Sequence, residues 1–173
     1  MKLKCLLILP FLTAFLKAAS VDDLTFNYGV YGYSVAYCDS SASGSLDIPS
    51  VYNGLPVTSI GSFAFRDCTS LVSVIIPEGV TSIEFFAFAG CSSLTSITIS
   101  DGVTSIPTAT FLNCTSLTSI IIPNSVTQIG EWAFAGCFRL TSITIPDTVT
   151  SIGSAFAGCF RLTSITFEGD APP

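Results

Sequence analysis

The chain has 173 residues, 49% of them hydrophobic and only 10% charged, with a formal net charge of −6. That acidic balance argues against nucleic acid and anionic membrane surfaces as partners, because Lys and Arg must neutralise phosphates there. Histidine is absent, which excludes Ser-His-Asp and Cys-His catalysis and most zinc sites.

Residues 1–20 read as a secretory signal peptide. Lys2 and Lys4 make a basic start, Cys5 to Phe15 an apolar run, and Ala18, Ala19 and Ser20 supply small residues for cleavage. The competing reading is a membrane anchor, but a span needs about 20 apolar residues and this run is shorter. No later stretch reaches that length, so no membrane span is expected in the mature chain. Cleavage would remove Lys2, Lys4 and Lys17. It would leave Arg66, Arg139 and Arg161 against twelve acids, a net −9.

Residues 21–45 are rich in Tyr, Gly and Ser. Tyr33, Val35 and Tyr37 alternate with the period of a strand. Ahead of a repeat array, which needs a cover over its first rung, this segment is expected to be an N-terminal cap of one or two strands. A tyrosine-rich binding surface is the alternative.

Residues 46–173 repeat. Cys68, Cys91, Cys114 and Cys137 follow one another at 23 residues, and Cys159 follows after 22, so the last full copy has lost one residue just before Ala155. A short fixed period specifies a solenoid, here of about five coils with an incomplete C-terminal coil. The first copy is longer: Asn53-Gly54 before Leu55-Pro56 marks an inserted turn. In a typical copy Leu94, Ile97 and Ile99 point inward and Ser96 and Thr98 outward. Pro77, Pro123 and Pro146 end the strand, since proline has no N–H for a ladder. Val103 and Ile106 then return inward. Glu131 to Ala135 and its equivalents are expected to be one or two helical turns, anchored by Phe65, Phe88, Phe111, Phe134 and Phe156 stacked as a column. Asp67, Gly90, Asn113, Gly136 and Gly158 precede the cysteines and tolerate the left-handed conformation that ends helices.

Six cysteines remain after cleavage, five of them in one column. Rungs about 5 Å apart permit disulfides by distance, but stacked side chains point the same way, so buried thiols are the favoured reading. Cys38 lies outside the column and either pairs with Cys68 or plugs the cap.

The frame L-x-x-I-x-I-P-x-x-V-x-x-I-G-x-x-A-F-x-x-C, as in LTSIIIPNSVTQIGEWAFAGC from Leu117, resembles the leucine-rich repeats of the BspA-like type over residues 46 to 170. The resemblance implies an α/β solenoid, curved, with a parallel β-sheet on one face and short helical turns on the other. It also implies secreted or cell-surface proteins that adhere to host proteins or other cells. No catalytic residues and no cofactor come with it.

The candidate sites are surface columns. On the strand face Ser73, Ile75, Ser96, Thr98, Ser119, Ile121, Ser142, Thr144, Ser164 and Thr166 form an uncharged surface for an extracellular or host protein. The same residue types also suit sheet propensity and solubility. Regular Ser/Thr rows further resemble ice-binding solenoids, though Ile75 and Ile121 interrupt the rows. A second candidate is Phe138-Arg139 with Phe160-Arg161, where other copies hold small polar residues; aromatics and arginine are enriched at interfaces. The competing explanation is a local duplication, since F-R-L-T-S-I-T recurs verbatim. Glu78, Asp101 and Asp147 make an acidic row, too sparse for a calcium site and explained as turn residues. Asn113-Cys114-Thr115 is an N-glycosylation sequon. The competing functional class is a structural module that self-associates end to end.

Overall fold

The computed structural model describes residues 18–169. The basic start and apolar run of the expected signal peptide, and the closing Pro172 and Pro173, lie outside the described residues. The chain opens with a 3-10 turn, Val21–Asp23, followed by β1 (Leu24–Gly29), β2 (Gly32–Cys38), β3 (Gly44–Asp47), β4 (Val51–Tyr52), β5 (Leu55–Ile60), β6 (Leu71–Ile75) and β7 (Ser82–Ile83). It continues through β8 (Ser96–Thr98), β9 (Ser105–Ile106), β10 (Gln128–Ile129), β11 (Ser142–Ile145), β12 (Ser151–Ile152) and β13 (Ser164–Phe167). Together they make a β-solenoid of about six turns.

The start of the described chain is tied in: Ala18 bridges Ser43, and Ala19 packs partly buried against the core. β1 and β2 form an antiparallel hairpin, and β2 then pairs parallel with β5 of the first coil. Val51 to Pro56 form a small hairpin whose corner residues Asn53 and Gly54 have φ of 48° and 80°. Such angles are why Asn-Gly occupies tight hairpin turns.

Three inter-coil ladders join the later coils. The first is the strand face, where β3, β6 and β8 pair parallel, with one register shift between Gly44 and Ser45, and β11 pairs β13. It is interrupted at residues 119–122, where Ile121 makes only an isolated bridge to Thr144. The second is a sheet that the repeat pattern did not announce: β5 pairs β7, and β9, β10 and β12 pair in series. Its gap between β7 and β9 has a physical cause. The N–H of Glu84, Gly130 and Gly153 each donates to the Ile carbonyl one coil back, and the residue at that position in the intervening coil is Pro107, which has no N–H.

The third ladder replaces the expected helical turns, which the structure does not contain. Among the described residues the only helix is Val21–Asp23. In the corner of one coil the N–H groups of Ala133, Ala135 and Cys137 bond locally, to the carbonyls of Gly130, Trp132 and Phe134. Those of Trp132, Phe134 and Gly136 instead donate to Ser154, Ala155 and Ala157 of the next coil. Amides that alternate between local and inter-coil partners cannot build a helix, which directs every N–H back along its own chain. The corner turns twice through the left-handed region. Asp67, Gly90, Asn113, Gly136 and Gly158 have φ of 59°, 78°, 59°, 72° and 73°, so the conformation expected at this column is present without a helix before it. Phe63, Phe86, Ala109 and Trp132 supply the other left-handed position, at 54° to 60°. The residue lost before Ala155 belongs to that second column, and there Ala155 N–H closes a tighter turn on Gly153 at 2.6 Å.

The core is a set of stacked columns. Leu71, Leu94, Leu117 and Leu140, with Phe65, Phe88, Phe111 and Phe134, are buried to 0% exposure. The phenylalanines stack face to face with Phe156 at centroid separations of 4.7, 5.6, 5.5 and 5.5 Å. The six cysteines of the described residues are free thiols. Cys91, Cys114, Cys137 and Cys159 donate S–H to the carbonyls of Phe65, Phe88, Phe111 and Phe134 one coil back, at 3.0 to 3.3 Å. Cys68 reaches the Cys38 and Asp39 carbonyls at 3.7 and 3.8 Å. The sulfurs of Cys91, Cys114, Cys137 and Cys159 are thereby aimed at backbone, whereas Cys38 and Cys68 meet side chain to side chain as thiols. Burial pushes the Cys91, Cys114 and Cys159 thiols up, and Cys137 up to about 12.

Candidate functional site

The period-2 alternation of the strand places Ser96 and Thr98 outside and Ile97 inside. Ser142, Thr144, Ser164 and Thr166 are exposed likewise, and in register: Ser142 faces Ser164 and Thr144 faces Thr166. Ser73 is half-buried and pairs with Ser96, while exposed Ile75 pairs with Thr98. Ser119 is exposed, and Ile121 is 83% exposed. The structure therefore assembles the strand-face residues into two outward columns; around Ser119 the ladder lapses, and Ile121 keeps the repeat register through its bridge to Thr144.

The surface is not free of charge as expected. β3 extends both columns, with Ser45 opposite Ser73 and Asp47 opposite Ile75. Ser73 donates to Ser45 Oγ at 2.8 Å, and Asp47 stands exposed on the same face. The signal was present, because Leu46-Asp47-Ile48-Pro49 aligns with Val74-Ile75-Ile76-Pro77. Flanking threonines are less available. Thr95, Thr118 and Thr163 each turn their hydroxyl to the carbonyl one coil back, of Val72, Thr95 and Thr141, at 3.0 to 3.4 Å.

Phe138 and Phe160 lie at the exit from the corner, after the left-handed Gly136 and Gly158. They stack on each other at 5.8 Å with 22° between planes, and are 44% and 85% exposed. Arg139 and Arg161 beside them are exposed, and among the described residues neither has a carboxylate within ion-pair distance. Arg66, by contrast, pairs with Asp67 at 3.4 Å and lies over the Phe63 ring.

One aromatic group gathers residues of the tyrosine-rich segment around Tyr52, and a second was not foreseen from the sequence. Phe26 stacks on Tyr52 at 4.0 Å, with Tyr33 and Tyr28 set edge-on around them. Phe63, Phe85 and Phe86 group at the first two corners. Of the grooves, one of about 410 Å³ lies around Pro107, Thr108, Gly130 and Gly153, away from every sequence-predicted residue. Another of about 290 Å³ opens where the strand face is interrupted, between Ile121 and Thr144. Glu78, Asp101 and Asp147 form no metal-binding group among the described residues. No helix among those residues is long and apolar enough to cross a membrane. Asn113 is exposed, with Thr115 Oγ1 donating to Ser92 O at 3.2 Å.

The chain is similar to a leucine-rich cell surface protein of Faecalibacterium prausnitzii, with 36% identity and a TM-score of 0.80 over 86% of this chain and 39% of that one. It is similar to a leucine-rich repeat protein of Bacteroides ovatus, with 35% identity and a TM-score of 0.74 over 85% and 41%. The leucine-rich repeat protein of T. pallidum is 26% identical with a TM-score of 0.77, over 87% of this chain and 82% of that one. The chain thus spans about two fifths of the first and second of these proteins. No curated protein matches it. The family profile described as the BspA type leucine-rich repeat region finds six copies across residues 33–163. With the stacked Leu, Phe and Cys columns, that match establishes that the chain belongs to the BspA type leucine-rich repeat family.

Proposed function

We propose that the chain is an exported or cell-surface repeat protein that binds another protein and performs no chemistry. The observation that carries this is the Phe138–Phe160 stack. Two large rings occupy solvent at a column where the other coils hold Thr69, Ser92 and Thr115. Exposed rings gain little for the fold, whereas aromatic residues anchor protein interfaces. The surface location is supported by the likeness to the Faecalibacterium cell surface protein. The strand-face columns, Ser73 to Thr166 with Asp47, extend the surface available to the partner, and Asn113 is the position where an attached glycan would project.

The test is surface plasmon resonance of the full chain against a panel of purified extracellular-matrix proteins. Saturable binding to at least one is expected. The pair Phe138→Ser with Phe160→Ser weakens it by about tenfold, roughly 1.4 kcal/mol, while far-UV circular dichroism shows the fold retained. Placing charge on the strand face with Ser142→Asp and Thr144→Asp weakens it further. Binding that survives both pairs of changes overturns the site.

A further inference from the structure

We infer that the Phe138–Phe160 patch takes an acidic peptide segment: an apolar side chain laid against the two rings, flanked by carboxylates that meet Arg139 and Arg161. The inference rests on the protein-binding reading above and adds the partner's chemistry to it. Its basis is charge complementarity within an otherwise acidic molecule. The described residues contain three arginines and no lysine. One arginine, Arg66, is already committed to Asp67 and to the face of Phe63. The other two stand side by side on adjacent coils, exposed and without an ion-pair partner among the described residues. Among the described residues they are the two cations that no carboxylate pairs.

The spacing suits carboxylates on a peptide. Adjacent rungs of a parallel ladder lie about 4.8 Å apart, and the two rings repeat at 5.8 Å. Carboxylates one turn apart on a helical peptide are separated by about 5–6 Å at Cβ, which matches one per arginine. The guanidinium fork favours a planar carboxylate over a point anion. The rings between supply the apolar contact that orients the segment.

The probe is a fluorescein-labelled synthetic peptide of alanine, phenylalanine and glutamate with paired glutamates one helical turn apart. It is compared by fluorescence anisotropy with counterparts carrying glutamine or lysine at those positions. The full chain is expected to bind the glutamate peptide at least tenfold more tightly than the glutamine one, and the lysine one least. Arg139→Glu with Arg161→Glu reverses that order. Raising NaCl from about 0.01 to about 1 M, which shortens the Debye length from roughly 30 to 3 Å, weakens the glutamate complex. Were the rings alone responsible, screening would relieve the repulsion between two acidic molecules and tighten it. Equal binding of all three peptides, lost in Phe138→Ser with Phe160→Ser, overturns the acidic partner and leaves the protein-binding reading standing. Binding of no peptide overturns the inference. So does a sulfated oligosaccharide that binds through Arg139 and Arg161 where the peptide does not. Binding indifferent to both the Phe and the Arg changes overturns the site as well.

Discussion

Replacing Phe111 by alanine should cost about twice what the same change costs at Phe156. Phe111 is fully buried and stacked on both sides, on Phe88 at 5.6 Å and Phe134 at 5.5 Å. Phe156 is half-buried and, among the described residues, stacks on Phe134 alone. Truncating a core phenylalanine removes about 3–5 kcal/mol, and each ring pair adds about 0.5–1.5 kcal/mol beyond its area. Phe111→Ala should therefore cost about 4–8 kcal/mol and Phe156→Ala about 2–4 kcal/mol. Against a typical domain stability of about 5–15 kcal/mol, the first change removes a large share. Urea unfolding followed by far-UV circular dichroism and by the fluorescence of Trp132, the single tryptophan, gives both values. Trp132 lies in the coil after Phe111, so separation of the two signals would show the array parting at the cut column. Equal losses for the two variants, within about 0.5 kcal/mol, would refute the claim that stacking on both faces stabilises the middle of the column.

The cysteine column predicts an alkaline weakness. The folded thiol of Cys137 is raised from 9.0 to about 12, so the fold prefers the neutral form; that contribution is complete below pH 9 and is lost as pH climbs towards 12. Urea midpoints should fall between about pH 8 and about pH 10.5, and less steeply in Cys137→Ala; parallel slopes would rule the thiol out. Gly153→Ala should cost about 1–3 kcal/mol in overpacking, because the new Cβ would sit 2.8 Å from Glu131 N and 3.0 Å from its Cα; a neutral thermal melt would contradict this. Thr110, fully buried, donates to Pro107 O at 2.8 Å where other coils hold Ala64, Ala87 and Ala133. Thr110→Ala should cost about 1 kcal/mol, and an unchanged melting temperature would mean that bond contributes nothing.

Much of the coil was legible. Inward Leu94, Ile97, Ile99, Val103, Ile106 and Phe111 follow from hydrophobicity and period, and all are buried. The outward Ser and Thr follow from the same alternation. The corner was not legible for two reasons. Its residues are as compatible with a helical turn as with this one, and the deciding fact, that every second amide bonds to the next coil, lies between copies rather than within one. The left-handed conformation at Asp67, Gly90 and Asn113 carries a chemical signature; the same conformation at Phe63, Phe86 and Trp132 carries none, since bulky residues ordinarily avoid it. The alternation of Asp67 with Gly90 and of Asn113 with Gly136 is also spatial. A Cβ on either glycine would meet the preceding acid or amide oxygen at 2.2 or 2.3 Å. Phe138 and Phe160 stood out because they replace small residues at a surface position, and their mutual stacking needed only the coil spacing to foresee.

Pro107 interrupts one ladder between the coil of Leu71 and that of Leu94, while the strand face is interrupted one boundary later, around Ile121. The seams are staggered like joints in brickwork. The Leu71 and Leu94 coils keep the β6–β8 pairing, and the Leu94 and Leu117 coils keep β9–β10. The corner bonds from Phe86 to Thr108 and from Ala109 to Glu131 run across both boundaries. Neither of these two boundaries is weak on every side, so a load applied along the array is shared at each of them by two rows of backbone bonds.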